Sequence, residues 1–519
     1  MAPDTPEQVR NARLRRADWR FLLPSPRPRR ALCLATGALA EAVASIAAEV
    51  VEADTARDCD LVVAEDPNTH ALARLHDALA PGGMCYTEWG PRPGGARAAE
   101  RALRAAGFED IVCYRPWPAA AESPVFRIPV GAPGARAYVR SRQRLRGGRL
   151  RRVIAEIGRR VGGALRGRLG TPVCALARRA QDHAPADRAP AAWLLEQWPG
   201  WGLGSAPGRL STLLVTGGPR SVSKVVLLAF AEPSPIPLVA VKAPRVAEAV
   251  AGVEREADAL AGLTARPLAA VPGVPRLLAR REAGGVPLVV ETAIVGRPLD
   301  TLLTSGSLAA WSGKVTDWLA ALAPREPTRT PAHWRGAIVE PALSQFVDRF
   351  GGLVDPGVLR EGEAIVRGIG ALPAVAEQRD FGPWNVLVTP TGSIAVLDWE
   401  SAELEGLPAL DLLYFLTYAA FGVDGARSRE ERLASFRRSL DPTTRTGAVR
   451  RDCLARYGDA LGLDPSQLAP LRSLVWLIHA QSDARHAIAD AGGAPPRALL
   501  ARSLFLGLWE EEVRRIAGQ

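Results

Sequence analysis

Residues 378–400, QRDFGPWNVLVTPTGSIAVLDWE, constrain this chain more than any other stretch. Two apolar runs, one of them Val386-Leu387-Val388 and the other ending at Asp398, flank the turn Thr389-Pro390-Thr391-Gly392. Alternating apolar residues around a glycine-bearing turn predict a β-hairpin. Such a hairpin holds Asp380 and Asn385 at one end and Asp398 at the other, close together in space. An aspartate base with an Asn and an Asp as hard oxygen ligands is the set that Mg²⁺-dependent phosphoryl transfer uses. The bland alternative is a surface hairpin with acidic ends.

At 519 residues the chain exceeds one ordinary core, so roughly two or three domains are expected. An apolar fraction of 47% fits a globular protein, and no apolar run approaches the roughly 20 residues of a membrane span. The first residues lack an apolar signal region, and the six cysteines show no C-x-x-C pairing, so reduced thiols and a cytoplasmic location are expected. The net charge of +10 is carried by arginine, with Lys224, Lys242 and Lys314 the lysines of the chain. That usage suggests a high-GC bacterial genome, and it makes a lysine at a strand end less incidental.

Residues 30–118 alternate apolar runs and helical stretches, as an α/β layer does. Strands are expected at 31–35, 49–54, 60–65 and 84–89, with a helix over 70–79. Residues 133–192 form a basic linker, in which Arg140–Arg168 sets arginines against Leu145, Leu150, Val153, Ile154, Ile157, Val161 and Leu165. This segment reads either as an interfacial helix in peripheral contact with an anionic membrane or as an amphipathic linker with solvated arginines. No zinc spacing, helix-turn-helix signal or basic-aromatic strand accompanies the charge, so no specific nucleic-acid partner is expected.

From 193 the chain becomes strand-rich. Strands at 210–215 and 225–230 are joined by Thr216–Lys224, and Pro237-Leu238-Val239-Ala240-Val241-Lys242 is an apolar strand ending in a lysine. A helical stretch over 246–263 comes next, carrying Glu254 and Glu256, and then a strand over 287–293. From Leu302 onward the chain reads as mainly helical around the hairpin at 378–400. His479, Gln481, Asp483 and His486 lie at helical spacing, either lining a pocket or forming a solvated face.

The hairpin resembles the catalytic loop of the aminoglycoside phosphotransferase and choline kinase-like family, H-G-D-x-x-x-x-N followed by an apolar strand and D-W/F-E/D. The resemblance implies a catalytic Asp380 and metal ligands Asn385 and Asp398, with ATP and Mg²⁺ as cofactors. Gln378 and Arg379 stand where the family has His and Gly. Gly406-Leu407-Pro408-Ala409-Leu410-Asp411-Leu412 resembles its G-x-P-x-x-D-L signature, in which Asp411 braces the loop. Val239–Lys242 resembles the V-A-I-K strand of kinases. Arg255-Glu256-Ala257 resembles the family's R-E-A wording, which implies that Glu256 orients Lys242 toward phosphate. By the same resemblance Gly217, Gly218 and Ser221 cover the phosphates, and the backbone of Glu291 and Ala293 holds the adenine.

The segments LHDALAPGGMCYTEW (75–89) and LRAAGFEDIVCYRPWP (103–118) resemble the second half of a SAM-dependent methyltransferase. The cofactor turn offers a single glycine, Gly37, and Asp54 stands at the ribose position.

The expected fold is an α/β Rossmann-like N-terminal domain (1–132) and the basic linker (133–192), succeeded by an α+β bilobal kinase-like domain. That domain divides into an N-lobe (193–295) and a mainly helical C-lobe (296–519). The expected function is ATP-dependent phosphoryl transfer to a hydroxyl on a small-molecule or glycan acceptor. The alternatives are a nucleotide-binding pseudokinase or scaffold, and a SAM-dependent methyltransferase fused to a kinase-like domain.

Overall fold

Strand β3 (Cys59–Glu65) is an almost unbroken apolar run, the pattern of a parallel strand covered on both faces. It lies between β1 (Arg30–Cys33) and β4 (Leu79–Arg92), parallel to both, with β2 (Glu49–Val51) parallel to β1 at the edge. Helices α2 (Gly37–Ile46) and α3 (Thr69–Ala78) connect these strands, after an N-terminal α1 (Pro6–Arg16). The side chain of Asn68 caps α3 by accepting from the Ala71 N–H at 2.8 Å. The strands and helix expected over 30–89 are therefore present.

In this computed structural model the described residues are 6–92, 94–118, 123–145, 170–180, 190–216, 224–265, 271–323, 328–491 and 497–518. They divide into two units, 1–257 with 276–295, and 258–275 with 296–519. No helix among them is long and apolar enough to cross a membrane.

The first unit is built on one twelve-stranded sheet. Beside β4 runs β7 (Thr171–Arg179), antiparallel both to β4 and to β5 (Phe108–Trp117). This corrects the expected linker, because 171–179 supplies an interior strand. The arginine-rich surroundings obscured its alternation: Val173, Ala175 and Ala177 enter one core cluster, whereas Cys174 and Leu176 enter the other. Most of the amphipathic stretch 140–168 lies outside the described residues.

Strand β6 (Phe126–Pro129) pairs with β5 on one side and with β8 (Leu210–Thr216) on the other. Thr216 reinforces the join by donating its hydroxyl to the Pro124 carbonyl at 2.6 Å. From β8 the sheet continues antiparallel through β9 (Val225–Ala231), β10 (Pro237–Ala243), β12 (Val286–Thr292) and β11 (Leu277–Ala283).

The expected break at 193 is absent from the packing. Trp19, Phe21 and Leu22 share one buried cluster with Val63 and Tyr86 of the parallel strands and with Leu227, Val239 and Val241 of the antiparallel ones. Trp19 stacks on Tyr86, with ring centroids 3.8 Å apart. Asp18 and Arg245, both buried, pair at 2.9 Å and tie the N-terminal segment to the residues just after β10. Removing one partner of such a pair leaves an uncompensated buried charge, which is strongly destabilising.

The second unit is mainly helical, with long helices Leu410–Asp424, Leu468–Ala491 and Leu504–Ala517 around buried Trp334, Trp399, Trp476 and Trp509. Against them sits the expected hairpin, Val386–Val388 paired antiparallel with Ile394–Val396. Gly392, at φ 78°, makes the turn.

A chain shortened to 193–519 exposes the edge of β8 and the apolar face that Trp19 and Phe21 cover. It should be aggregated or molten, binding a hydrophobic dye and melting without a cooperative transition. A soluble fragment with a sharp calorimetric transition would show that the shared core is dispensable.

Candidate active site

Each unit carries one cluster of the residues singled out in the sequence. In the first unit, Lys242 lies in β10 and Glu256 on the helix Val250–Ala265. That helix lays Val253 and Ala257 against Val289 and Leu277, which directs Glu256 inward. Lys242 Nζ is 2.6 Å from Glu256 Oε1, as the choice of Glu256 over Glu254 anticipated. A second ammonium, that of Lys224, holds Glu256 Oε2 at 2.7 Å. Glu256 is fully buried. Burial alone would raise its pKa, but Lys242 and Lys224 outweigh it and hold the carboxylate at about 2.

Glu291 has a side-chain partner that the expected backbone role did not include. It lies within β12, in register with Ala240 on one side and Leu277 on the other. Lys242, diagonal to it across the strands, meets its Oε1 at 2.8 Å, and its Oε2 is buried without a hydrogen-bond partner. Burial, partly opposed by Lys242, pushes this carboxyl up to about 7. The Ala293 N–H is also engaged, donating to the Leu238 carbonyl at 2.9 Å. That N–H is therefore not a free donor for adenine. Gly217, Gly218 and Ser221 lie outside the described residues.

In the second unit the loop before the hairpin is held at several points. The Asp411 carboxylate accepts from the Gln378 N–H at 2.6 Å and from the Arg379 N–H at 2.9 Å, the bracing part expected of it. The buried Gln378 side chain donates to the Leu397 carbonyl at 3.0 Å and to the Asp398 carbonyl at 2.6 Å. Its Oε1 accepts from the Asp380 N–H at 2.9 Å. One amide therefore fixes the loop carrying Asp380 to the strand end carrying Asp398.

Arg379 has φ 67°, which a glycine adopts freely and another residue at a cost of roughly 1–2 kcal/mol. Its guanidinium pairs with buried Glu377 at 3.2 Å, a counter-charge that glycine lacks. Burial still raises the Glu377 carboxyl to about 8.

Asn385 Nδ2 donates to Asp380 Oδ2 at 2.9 Å, which brings these two site residues together and leaves the amide oxygen as the group's remaining acceptor. Asp398, at φ 64°, is half-buried, as is Glu400 two residues on. Burial, and after it the charge of Asp398, pushes the Asp380 carboxyl up to about 6. No group of three or more His, Cys, Asp or Glu side chains is gathered for a metal among the described residues, but the mutually repelling Asp380 and Asp398 with the Asn385 amide oxygen are oxygen donors of the kind a hard divalent cation takes.

The helical set at 479–486 divides between roles. His479 stacks on Tyr414 at 4.2 Å, and burial together with Arg379 lowers its imidazole to about 3, keeping it neutral. Gln481 donates to the Ala342 carbonyl. Exposed Asp483 accepts from the Ser503 hydroxyl, and the side chain of His486 lies outside the described residues.

Sequence reasoning missed the side-chain role of Glu291 and the part of Lys224 in the ion cluster. The scarcity of lysine was the available signal for Lys224, since two of the three lysines meet on one carboxylate.

Residues 230–449 match the family model described as "Phosphotransferase enzyme family". That span takes in Lys242, Glu256, Asp380, Asn385, Asp398 and Asp411. The chain is also similar to solved structures at low identity. Aminoglycoside phosphotransferase APH(3'')-Id from Streptomyces rimosus ATCC10970 is 18% identical at TM-score 0.31, covering 54% of this chain and 97% of that one. A thermostable mutant of aminoglycoside phosphotransferase APH(4)-Ia is 15% identical at TM-score 0.38, covering 63% and 100%. An aminoglycoside phosphotransferase from Alicyclobacillus acidocaldarius is 13% identical at TM-score 0.34, covering 59% and 92%. No curated protein matches the chain.

Because the folded-state pKa of Asp380 lies above its ordinary value, the native state binds the extra proton between about pH 4 and pH 6. Stability contributed by this group is therefore lost as pH rises through that window. Asp380→Asn, which cannot ionise, should raise the melting temperature at pH 7.5, a gain on the order of 1–3 kcal/mol. The gain should shrink toward pH 4. An equal or larger gain at pH 4 would contradict the raised pKa.

Proposed function

We propose that this chain transfers the γ-phosphoryl group of ATP to a hydroxyl on a small molecule or glycan. The observation that carries the reading is Gln378. It spans from the Asp380 loop to the Asp398 strand end, so the loop is fixed without the family's His-Gly. The match of residues 230–449 to the phosphotransferase family supports the same reading.

In this proposal Asp380 orients the acceptor hydroxyl and takes its proton as the oxygen bonds to phosphorus, and the β–γ bridging oxygen leaves with ADP. Asp380 sits at about 6, close enough to neutrality for its carboxylate to serve as that acceptor. Asn385 and Asp398 would hold Mg²⁺, which supplies positive charge to the transferring group. Lys242, oriented by Glu256, would neutralise phosphate charge, with Lys224 keeping Glu256 ionised when Lys242 turns to its ligand. Trp384, 41% exposed within the catalytic loop and edge-on to Tyr418, offers an acceptor an aromatic face.

We further propose that the parallel strands β1–β4 with their helices are a worn Rossmann-like layer. Gly37 is the single glycine of the turn after β1. Asp54 is exposed and pairs with Arg74 at 3.2 Å, which offers little of a cofactor site. The reading assigns the chain to the cytoplasm.

The test is turnover of Mg·ATP across a panel of hydroxyl acceptors by the full chain. Asp380→Ala should lower kcat by roughly 10²–10⁴-fold. Gln378→Leu should lower it by about 100-fold through misplacement of the loop, with a loss of stability on the order of 1–3 kcal/mol from the partners left unmet, whereas Gln378→His should retain most of the rate. Nucleotide binding without transfer to any acceptor would favour the pseudokinase, and undiminished transfer in Asp380→Ala would remove that residue from the mechanism.

A further inference from the structure

The first unit holds a cavity of about 820 Å³ lined by Arg10, Arg13, Arg20, Arg27, Arg29 and Arg245. No acidic residue lines it among the described residues. Arg10 and Arg13 come from α1, Arg27 and Arg29 from the approach to β1, and Arg245 from the residues after β10. Several of these charges are already matched: Arg10 by Glu248, Arg13 by Glu41, Arg245 by Asp18 and, at 3.7 Å, exposed Arg29 by Asp60.

Arg20 is different. It is 5% exposed, and its Nη2 donates to the Arg245 carbonyl at 2.6 Å. Its Nε and Nη1 are buried without any hydrogen-bond partner. Leaving two donors of a buried cation unmet is costly, so a group that fills them is expected. Burial, and then the nearby Arg27 and Arg245 against the pull of Asp18, lowers its pKa to about 10, as a cation short of negative charge behaves.

The geometry points to a binding site for a phosphate ester in this cavity. We infer that a phosphate or diphosphate seats on the free edge of Arg20, with Arg27 and Arg29 closing over it. Guanidinium groups match phosphate oxygens in bidentate fashion, and several arginines together favour more than one negative charge. Leu14, Ile46, Ala47 and Val246 line the remainder and give the uncharged part of the ester an apolar wall. The volume suits a ligand of nucleotide size. These residues are a different set from those around Lys242 and Asp380, so the inference does not depend on the proposed phosphotransferase activity. A free phosphate ester and a lipid headgroup share this chemistry.

The test is calorimetric titration of the full chain with pyrophosphate in the absence of metal. Binding is expected, weakened about tenfold or more in Arg20→Met and in Arg27→Ala. Should Arg20→Met fail to fold, the exposed pair Arg27→Ala with Arg29→Ala carries the test. Co-sedimentation with vesicles of phosphatidylcholine and phosphatidic acid that requires these arginines assigns the phosphate to a lipid headgroup. Pyrophosphate binding without co-sedimentation assigns it to a soluble ester. No heat of binding, or binding that ignores the arginines, would overturn the site.

Discussion

Glu256 has no contact with water, and a carboxylate buried so completely must be matched by charge. Two ammonium groups supply it, from β10 and from the residue preceding β9. The first cluster is built around that requirement. Lys242 is held at a strand position beside the helix, and Glu291 across the strand shares the same cation. Neutralising either lysine would leave a buried carboxylate short of its counter-charge, so the cluster is rigid in composition as well as in position. In the second unit Asp411 meets the same demand differently, with two backbone N–H groups from the loop that carries Asp380. Each cluster is thus organised by a carboxylate that the fold cannot leave unmatched.

The hairpin, the order of acidic residues around it and the Lys242–Glu256 pair were legible in the sequence because they depend on short spacings. Apolar alternation around Gly392 gives the turn, and a lysine at a strand end ahead of a glutamate-bearing helix gives the pair. The substitution of Gln378 and Arg379 was also visible, but its meaning was not. Whether a glutamine can brace the loop depends on where the Leu397 and Asp398 carbonyls lie, and that is a tertiary fact. Arg379 likewise makes sense only when Glu377 is seen to be buried beside it. Glu291 was read for its backbone alone, and that its side chain turns inward to Lys242 depends on the register of β12 against β10.

The N-terminal layer was legible as strands and helices but not as a partner of the antiparallel strands β8 to β12. Strand β7 was hidden among arginines, and the join of β6 to β8 has no local signature, because it pairs residues such as Arg127 and Leu214 far apart in sequence. One continuous sheet gives the antiparallel strands β8 to β12 a covering that Trp19 and Phe21 complete. The same covering leaves Arg20 buried with donors unmet, so the feature that joins the two parts also creates the cationic cavity.

The most direct measurement is calorimetric binding of ATP with and without Mg²⁺, by the wild-type chain and by Asp398→Ala. The account predicts metal-dependent binding in the wild type and loss of the metal dependence in the variant. Absence of nucleotide binding, or an affinity indifferent to both the metal and Asp398, would contradict it.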